Sequence, residues 1–215
     1  MANTETTKVE FSTLITSIAM HQMIWDGFYE IMGSATLHDI EILANLDNLE
    51  TSNLNVMYRA FEIDELLTLS TIFDQHFGTT GSLGLMTRIG RSVFRNILKQ
   101  FGHDLQFFAL HYHMQTKPKR IFMGMQILAE QFSELSVCPI QVIDKGDHWL
   151  FNIDMKTWQG EKGGPRNQFG YLMVGIIQEL AAWVSGGKVY PVELDALENM
   201  ENDIQSIKIG KVYIM

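Results

Sequence analysis

The sequence has little cysteine, little proline and few basic residues, and each shortage excludes a class of protein. It contains one cysteine in 215 residues, Cys138, which excludes a disulfide scaffold and a metal site built from several thiolates. The four prolines, at positions 118, 139, 165 and 191, fall between periodic segments and form no linker. Sixteen Lys and Arg residues against 25 Asp and Glu residues give a net charge of −9, which argues against a nucleic-acid partner.

Long apolar runs and targeting signals are also missing. The first eleven residues lack the basic and apolar regions of a secretory signal. The longest apolar run, residues 171–184, is interrupted by Gln178 and Glu179 and is too short to span a bilayer. With 46% hydrophobic and 19% charged residues, we expect one soluble cytoplasmic domain over residues 11–215, preceded by a flexible N-terminus of residues 1–10.

Hydrophobic periodicity predicts that the first part of the chain is helical. Apolar residues recur at helical spacing, and glycines at positions 33 and 78 mark the ends of two segments. The predicted helices cover residues 11–33, 34–43, 64–78, 80–101 and 119–135.

The period changes in the second part of the chain. Residues 140–143 and 148–153 predict a β-hairpin whose turn contains Gly146 and Asp147. A glycine-rich loop over residues 158–168 precedes an almost wholly apolar helix over residues 169–184, and strands are predicted over residues 188–194 and 204–214. The fold class is therefore α+β: N-terminal helices packed on a small twisted antiparallel sheet, with a buried helix inserted between strand pairs.

Motifs of the common enzyme classes are absent. The sequence has no P-loop, because Gly186-Gly187-Lys188 is followed by Val189, and it has no GxGxxG, HExxH or GxSxG element. His111 and His113 form the only close histidine pair, and we interpret them as surface or loop residues because no further metal ligands accompany them. No catalytic residue and no metal site are predicted.

One helix face is basic although the chain is acidic. Arg88, Arg91, Arg95 and Lys99 recur at helical spacing within the predicted helix of residues 80–101. This basic stripe is either a solvated face with surface ion pairs, or a dock for an acidic ligand or for the acidic 193–203 segment of a second subunit. We favour the first interpretation because exposed charged faces are the commoner case.

Four stretches, taken in order, resemble one family. They are residues 78–81 with 88–94 and 101–102, the hairpin ending in His148-Trp149, residues 174–179 with 183–188, and Val192-Glu193. Together they resemble the 4-vinyl reductase (hydrocarbon-binding) domain. The resemblance implies an α+β fold shared with haem nitric-oxide sensor domains and with TRAPP trafficking-complex subunits. It also implies binding of small hydrophobic molecules, and dimerisation.

The chain departs from the family at its metal-type cysteines. Glu193 matches the family's glutamate, but Gly170, Ala196 and Ile204 (or Gln205) stand at the positions of the cysteines. A single carboxylate does not hold a structural zinc, so neither zinc nor an iron–sulfur cluster is expected. The chain also lacks a YxSxR-type element for haem propionates. We therefore predict no cofactor.

The leading hypothesis is non-catalytic binding of a small hydrophobic molecule (aromatic, lipid-like or tetrapyrrole) in an apolar pocket, as a sensor or carrier that forms a homodimer. One alternative is a ligand-free dimeric interaction module, and a second is a component of a tetrapyrrole vinyl reductase. The pocket is expected between the helices and the sheet, where aromatic residues concentrate. The predicted ligand-binding residues are Trp149, Phe151, Phe107, Phe108, Phe122, Tyr171, Val174, Trp183 and Tyr190.

Overall fold

The computed structural model describes residues 17–43, 63–112, 115–136, 138–156, 165–195 and 203–213. Within these ranges the chain forms helices first and a four-stranded antiparallel sheet afterwards, so the predicted α+β class is confirmed. The elements in order are α1 (Ser17–Met32), α2 (Ser34–Leu43), α3 (Ile63–Tyr112), α4 (Lys117–Ser136), β1 (Ile140–Asp144), β2 (His148–Asp154), α5 (Pro165–Ser185), β3 (Val192–Asp195) and β4 (Ile204–Gly210).

Helix α3 is one long element with a kink at Gly78. Gly78 has φ 68° and ψ 161°, a conformation that an L side chain rarely adopts, and the backbone on both sides of it is helical. The predicted break between two helices at this position is therefore confirmed. The prediction that the second helix ends at Phe101 was wrong, because residues 102–112 contain no proline and continue the helix to Tyr112.

Glycines let three helices approach one another closely. A Cβ on Gly90 of α3 would lie 2.1 Å from the carbonyl oxygen of Leu172, and a Cβ on Gly175 of α5 would lie 2.1 Å from that of Thr87. On another side of α3, a Cβ on Gly27 of α1 would lie 2.6 Å from Val93 Cγ2. Helix α3 is thus held between α1 and α5, with backbone-to-backbone contact where α3 crosses α5.

The sheet has the strand order β1-β2-β4-β3, and all its neighbours are antiparallel. The predicted hairpin is present: Gly146, with φ 92°, occupies the turn between β1 and β2. In the centre of the sheet Phe151 pairs with Ile207, and both are fully buried against the helices. The two central strands carry most of the sheet's contribution to the core, and Ile140 and Val192 of the edge strands add to it.

The structure corrects the predicted bounds of α5. This helix begins at Pro165, so residues 165–168 belong to it rather than to the preceding loop. Proline is favoured in the first turn of a helix, where its missing N–H costs no hydrogen bond. The helix ends as predicted at Ser185, where Gly186 and Gly187 take positive φ angles and the Gly187 N–H donates to the carbonyl of Ala182 at 2.7 Å.

The two last strands are shorter than predicted. Strand β3 begins at Val192 rather than Lys188, after Pro191, and Val189 before it is 60% exposed. Strand β4 ends at Gly210, and Val212 beyond it is exposed. The apolar alternation of Ile207 and Ile209 does not continue to Val212, because Val212 is three positions after Ile209 and would face the other side of a strand.

No helix in the described residues is long and apolar enough to cross a membrane.

Candidate functional site

An aromatic cluster lies where α4 faces the sheet. Trp149 of β2 is almost fully buried, and its ring centroid is 6.3 Å from that of Phe122 on α4. Phe151, two residues further along β2, has no accessible surface. At the rim, the Lys211 ammonium lies 5.1 Å above the Trp149 ring. Three of the predicted ligand-binding residues are thus brought to one side of the interior.

The remaining buried members of the predicted set border the same interior from α5 and from the start of β3. Val174 lies on a buried face of α5, and Tyr171, one turn earlier, is half-buried. Tyr190 is buried before β3, and its ring centroid is 6.1 Å from that of Tyr213. These residues surround a core that contains no catalytic pair among the described side chains.

One predicted residue lies outside this group, and the side chains of two others are not described. Trp183 is 42% exposed on the outer side of α5, where its ring centroid lies 6.2 Å from that of Phe94. Trp183 thus lies outside the buried group, and its role as a ligand contact stays a prediction. Phe107 and Phe108 belong to helical backbone of α3, and their side chains lie outside what the structure describes.

A buried polar cluster at the α3 kink was missed by the sequence analysis. Gln168 of α5 is 1% exposed and donates through Nε2 to the carbonyl of Ser70 at 2.9 Å and to Ser82 Oγ at 3.3 Å. Ser82 in turn donates to the carboxylate of Asp74 across the kink. We call Ser70, Asp74, Ser82 and Gln168 the kink cluster. Its members lie up to 98 residues apart, so no local spacing signals it.

The basic stripe connects helices of the same chain. Arg91 donates to Gln178 Oε1 from Nε at 3.0 Å and from Nη2 at 2.6 Å, and the Arg95 guanidinium lies 3.7 Å from Glu179. These contacts join α3 to α5. The interpretation of the stripe as a solvated face with surface ion pairs therefore agrees with the structure at Arg95, whereas Arg91 bonds to a neutral amide.

Lys99, another residue of the basic stripe, helps to join α3 to α1. The Glu30 carboxylate accepts from Ser92 Oγ at 2.5 Å and lies 3.8 Å from Lys99 Nζ. The Ser92 hydrogen bond holds the pKa of Glu30 below its ordinary value, against the opposing effect of burial, and the positive charge of Lys99 contributes in the same direction. Glu30 is therefore a stable anion at neutral pH.

Charged groups also hold the turn of the β1–β2 hairpin. Lys211 donates to Asp144 Oδ1 at 2.5 Å and to the Gly146 carbonyl at 2.8 Å. This hydrogen bond from Lys211, together with one from the Gly146 N–H, lowers the pKa of Asp144. A hydrogen bond from His148 likewise lowers the pKa of Asp147, which lies 2.7 Å from Nδ1 of that ring. These groups fix the hairpin over the rim of the aromatic cluster.

Comparison with known proteins finds similarity at the level of the fold. No family model matches the sequence, and no curated protein matches it. Among solved structures, an H-NOX protein from S. oneidensis in the Fe(II)NO ligation state superimposes with a TM-score of 0.57 at 8% identity, covering 90% of this chain and 98% of that one. An unliganded Fe(II) H-NOX protein from K. algicida gives 0.57 at 10% identity, covering 91% and 96% of the two chains.

A third structure extends the likeness. An oxygen-binding H-NOX domain related to soluble guanylate cyclases superimposes with a TM-score of 0.55 at 10% identity, covering 93% of this chain and 97% of that one. Identities this low show the fold alone. The expected relation to the fold of haem nitric-oxide sensors is confirmed, and membership of the 4-vinyl reductase family stays a prediction.

The described residues supply no histidine placed to ligate a haem iron. Haem iron in proteins takes an axial ligand, most often histidine, and the macrocycle needs a flat cavity. Among the histidines whose side chains are described, His38 and His76 are exposed and His148 is held in the hairpin by Asp147. Phe132 and Met125 of α4 have no accessible surface, so no water-sized space adjoins them. The described residues also contain no group of three or more His, Cys, Asp or Glu that could hold a metal ion.

Proposed function

We propose that this protein is a non-catalytic sensor or carrier domain that binds a small apolar molecule other than haem in the interior between its helices and its sheet. The observation that carries the proposal is the composition of that interior. Aromatic, aliphatic and methionine side chains border it, and the catalytic motifs and the metal-ligand groups are absent from the described residues. The fold agrees with this role, since the H-NOX structures that share it include an oxygen complex and a haem protein.

The described side chains around the interior are tightly packed, so a ligand enters by displacing flexible ones. Met125 of α4 and Met173 of α5 are fully buried in the same hydrophobic core. Methionine has three rotatable bonds and a polarisable sulfur, and it repacks around an incoming apolar group at small cost. A one- or two-ring aromatic molecule is the class of ligand that such a site accommodates.

Two tryptophans make the location of the ligand testable. Trp149 is buried beside the proposed site and Trp183 is exposed on the other side of α5, although both were predicted as ligand contacts. Titration of the protein with 4-hydroxybiphenyl should quench tryptophan fluorescence with a saturable dependence. We expect Trp183→Phe to retain the quenching and Trp149→Phe to lose most of it.

The opposite outcome would refute the proposed location. If Trp183→Phe abolishes the quenching and Trp149→Phe retains it, the ligand binds on the surface of α5. If the wild-type protein shows no saturable quenching and takes up no 4-hydroxybiphenyl in equilibrium dialysis, the binding function itself is wrong.

A second candidate function is a ligand-free interaction module, and one observation favours it. Trp183 is an exposed tryptophan flanked on the α3–α5 surface by the charged pair of Arg95 and Glu179. Exposed aromatic residues with neighbouring arginines are common at the centres of protein interfaces. Under this alternative Trp183→Ala would abolish the predicted homodimer in analytical ultracentrifugation and leave apolar ligands without effect.

A further inference from the structure

Two lysines from different parts of the chain meet at the C-terminal end of α5. Lys117 in the first turn of α4 donates from Nζ to the carbonyl oxygen of Ser185 at 3.0 Å. Lys188 follows the same helix end, and its N–H donates to Ser185 Oγ at 3.1 Å. Ser185, the last residue of α5, therefore holds a segment of α4 and the segment before β3 against each other.

Tyr213 shows that the two positive charges act at one place. The Lys188 ammonium lies 3.5 Å from the centroid of the Tyr213 ring. A hydrogen bond from Lys188 lowers the pKa of the Tyr213 phenol, and the positive charges of Lys188 and of Lys117 act in the same direction. Both ammonium groups are thus close enough to influence a single phenol oxygen.

Within the described residues, no carboxylate neutralises these charges. Neither Lys117 nor Lys188 forms an ion pair there, whereas Lys156 and Lys211 lie 3.8 and 2.5 Å from aspartate oxygens. Arg120, three residues after Lys117 on α4, has a buried Nε without a hydrogen-bond partner in the same part of the chain. In a chain of net charge −9, a group of cations without a carboxylate is an exception that points to an anion from outside.

The tripeptide Lys-Val-Tyr occurs twice at this end of the sheet, at residues 188–190 and 211–213. The first copy precedes β3 and the second follows β4, and these strands are antiparallel neighbours. The two copies therefore lie side by side, with the centroids of their tyrosine rings 6.1 Å apart. Val189 and Val212 are both exposed, so each copy places an apolar side chain on the surface next to its lysine.

We propose that Lys117, Lys188 and the Tyr213 hydroxyl bind a phosphate group, carried either by a soluble phosphate ester or by a lipid headgroup. A phosphate monoester carries nearly two negative charges at neutral pH, which two ammonium groups balance. Lysine and tyrosine both supply hydrogen-bond donors to its oxygens. The site is separate from the apolar interior, so its test does not depend on the function proposed above.

Titration of the full chain with inorganic phosphate, followed by NMR, tests the site. We expect the backbone N–H signals of Lys188 and Tyr213 to shift with a saturable dependence on phosphate, and not with chloride at the same ionic strength. Lys188→Met should raise the dissociation constant about tenfold, the effect of one charge-assisted hydrogen bond. Lys156→Met removes the same charge beyond the opposite end of β2 and should leave the constant unchanged.

Cosedimentation with lipid vesicles distinguishes the two sources of the phosphate. Vesicles of phosphatidylcholine with phosphatidic acid are compared with vesicles of phosphatidylcholine alone. Binding to the acidic vesicles that the double variant Val189→Ser and Val212→Ser loses would assign a lipid headgroup, because the exposed valines would enter the bilayer surface. Ile42→Ser, at an exposed apolar residue of α2, is the matched control. Shifts with inorganic phosphate without vesicle binding would assign a soluble phosphate ester.

Two results would overturn this assignment. One is a protein that binds neither inorganic phosphate nor the acidic vesicles. The other is equal weakening by Lys156→Met and Lys188→Met, since only the net charge would then matter. Should Lys188→Met not fold, the ultraviolet titration of Tyr213, taken as wild type minus Tyr213→Phe, decides. Bound phosphate should raise the pKa of this phenol more than chloride does at the same ionic strength, and equal effects of the two salts would contradict the site.

Discussion

At the scale of single residues, the hydrogen bond between Ser92 and Glu30 ties α3 to α1 and depends on pH. The pKa of Glu30 in the folded protein is below its ordinary value of 4.5, mainly because Ser92 donates to the carboxylate. A lowered carboxyl pKa contributes stability that is present above the unfolded pKa and is lost as the pH falls through the folded pKa. The contribution of this hydrogen bond to the free energy of unfolding should therefore disappear in acid.

Replacing Ser92 by alanine tests this dependence. We expect Ser92→Ala to lower the free energy of unfolding by about 1 kcal/mol at pH 7, a modest loss because Glu30 is partly solvated. The difference from wild type should narrow as the pH falls below 4.5, as measured by urea unfolding. Ser133→Ala serves as the control, since Ser133 bonds only to backbone groups and its effect should not change with pH. A difference for Ser92→Ala that is constant from pH 7 to pH 3 would contradict the account.

The residue scale also shows where sequence reasoning reached its limit. The burial of Trp149, Phe151 and Tyr190 followed from their apolar character and strand positions, and the structure agrees. Trp183 did not follow the same rule, because in an almost wholly apolar helix the sequence does not reveal which face meets solvent. Gln168 was placed in a loop, and its role depends on partners nearly one hundred residues away.

At the scale of secondary-structure elements, the crossing of α3 and α5 depends on two glycines. Gly90 and Gly175 each leave room for the backbone of the other helix, and both occur in the stretches that carry the family resemblance. Glycine in the middle of a helix destabilises that helix relative to alanine. The close packing that these two glycines permit offsets this cost. The sequence marked these positions by resemblance, but only the structure shows that their role is packing.

Two substitutions in the same helix separate packing from propensity. Gly90→Ala places a Cβ 2.1 Å from the carbonyl oxygen of Leu172, and we expect it to destabilise the fold by about 3 kcal/mol or more. Gly84→Ala adds a Cβ that meets nothing within 4 Å, and we expect it to stabilise the fold by about 0.5–1 kcal/mol. Urea unfolding measures both. Equal effects of the two substitutions would show that α3 and α5 do not cross at Gly90.

Element bounds were predictable where the chain itself provides a signal. Gly33, Gly78 and Gly186 mark the observed breaks because each takes a positive φ angle. The end of α3 was placed too early because the apolar stripe used to predict the helix ends at Phe101, although residues 102–112 continue the helix. Strand β4 was overextended because Val212 and Tyr213 resemble a strand in sequence although the structure places them outside β4.

At the scale of the whole molecule, the fold is that of the H-NOX structures, but the described interior does not offer a ligand for haem iron. The chain superimposes on H-NOX structures over nine-tenths of its length, yet the described interior offers no histidine to an iron atom and is filled by its own side chains. A fold alone does not specify a ligand, because the chemistry resides in the side chains that line the site. The predicted homodimer and the 4-vinyl reductase relationship stay predictions at this scale.

Native mass spectrometry of the freshly purified protein, with an ultraviolet–visible spectrum of the same sample before and after addition of haemin, tests the central claim most directly. We predict a small non-protein mass that leaves on denaturation, or uptake of 4-hydroxybiphenyl by the empty protein, with no haem absorption band after haemin is added. The native mass spectrum also reports whether the protein is a dimer. A protein that carries haem, or one that remains empty and binds no apolar probe, would contradict the account.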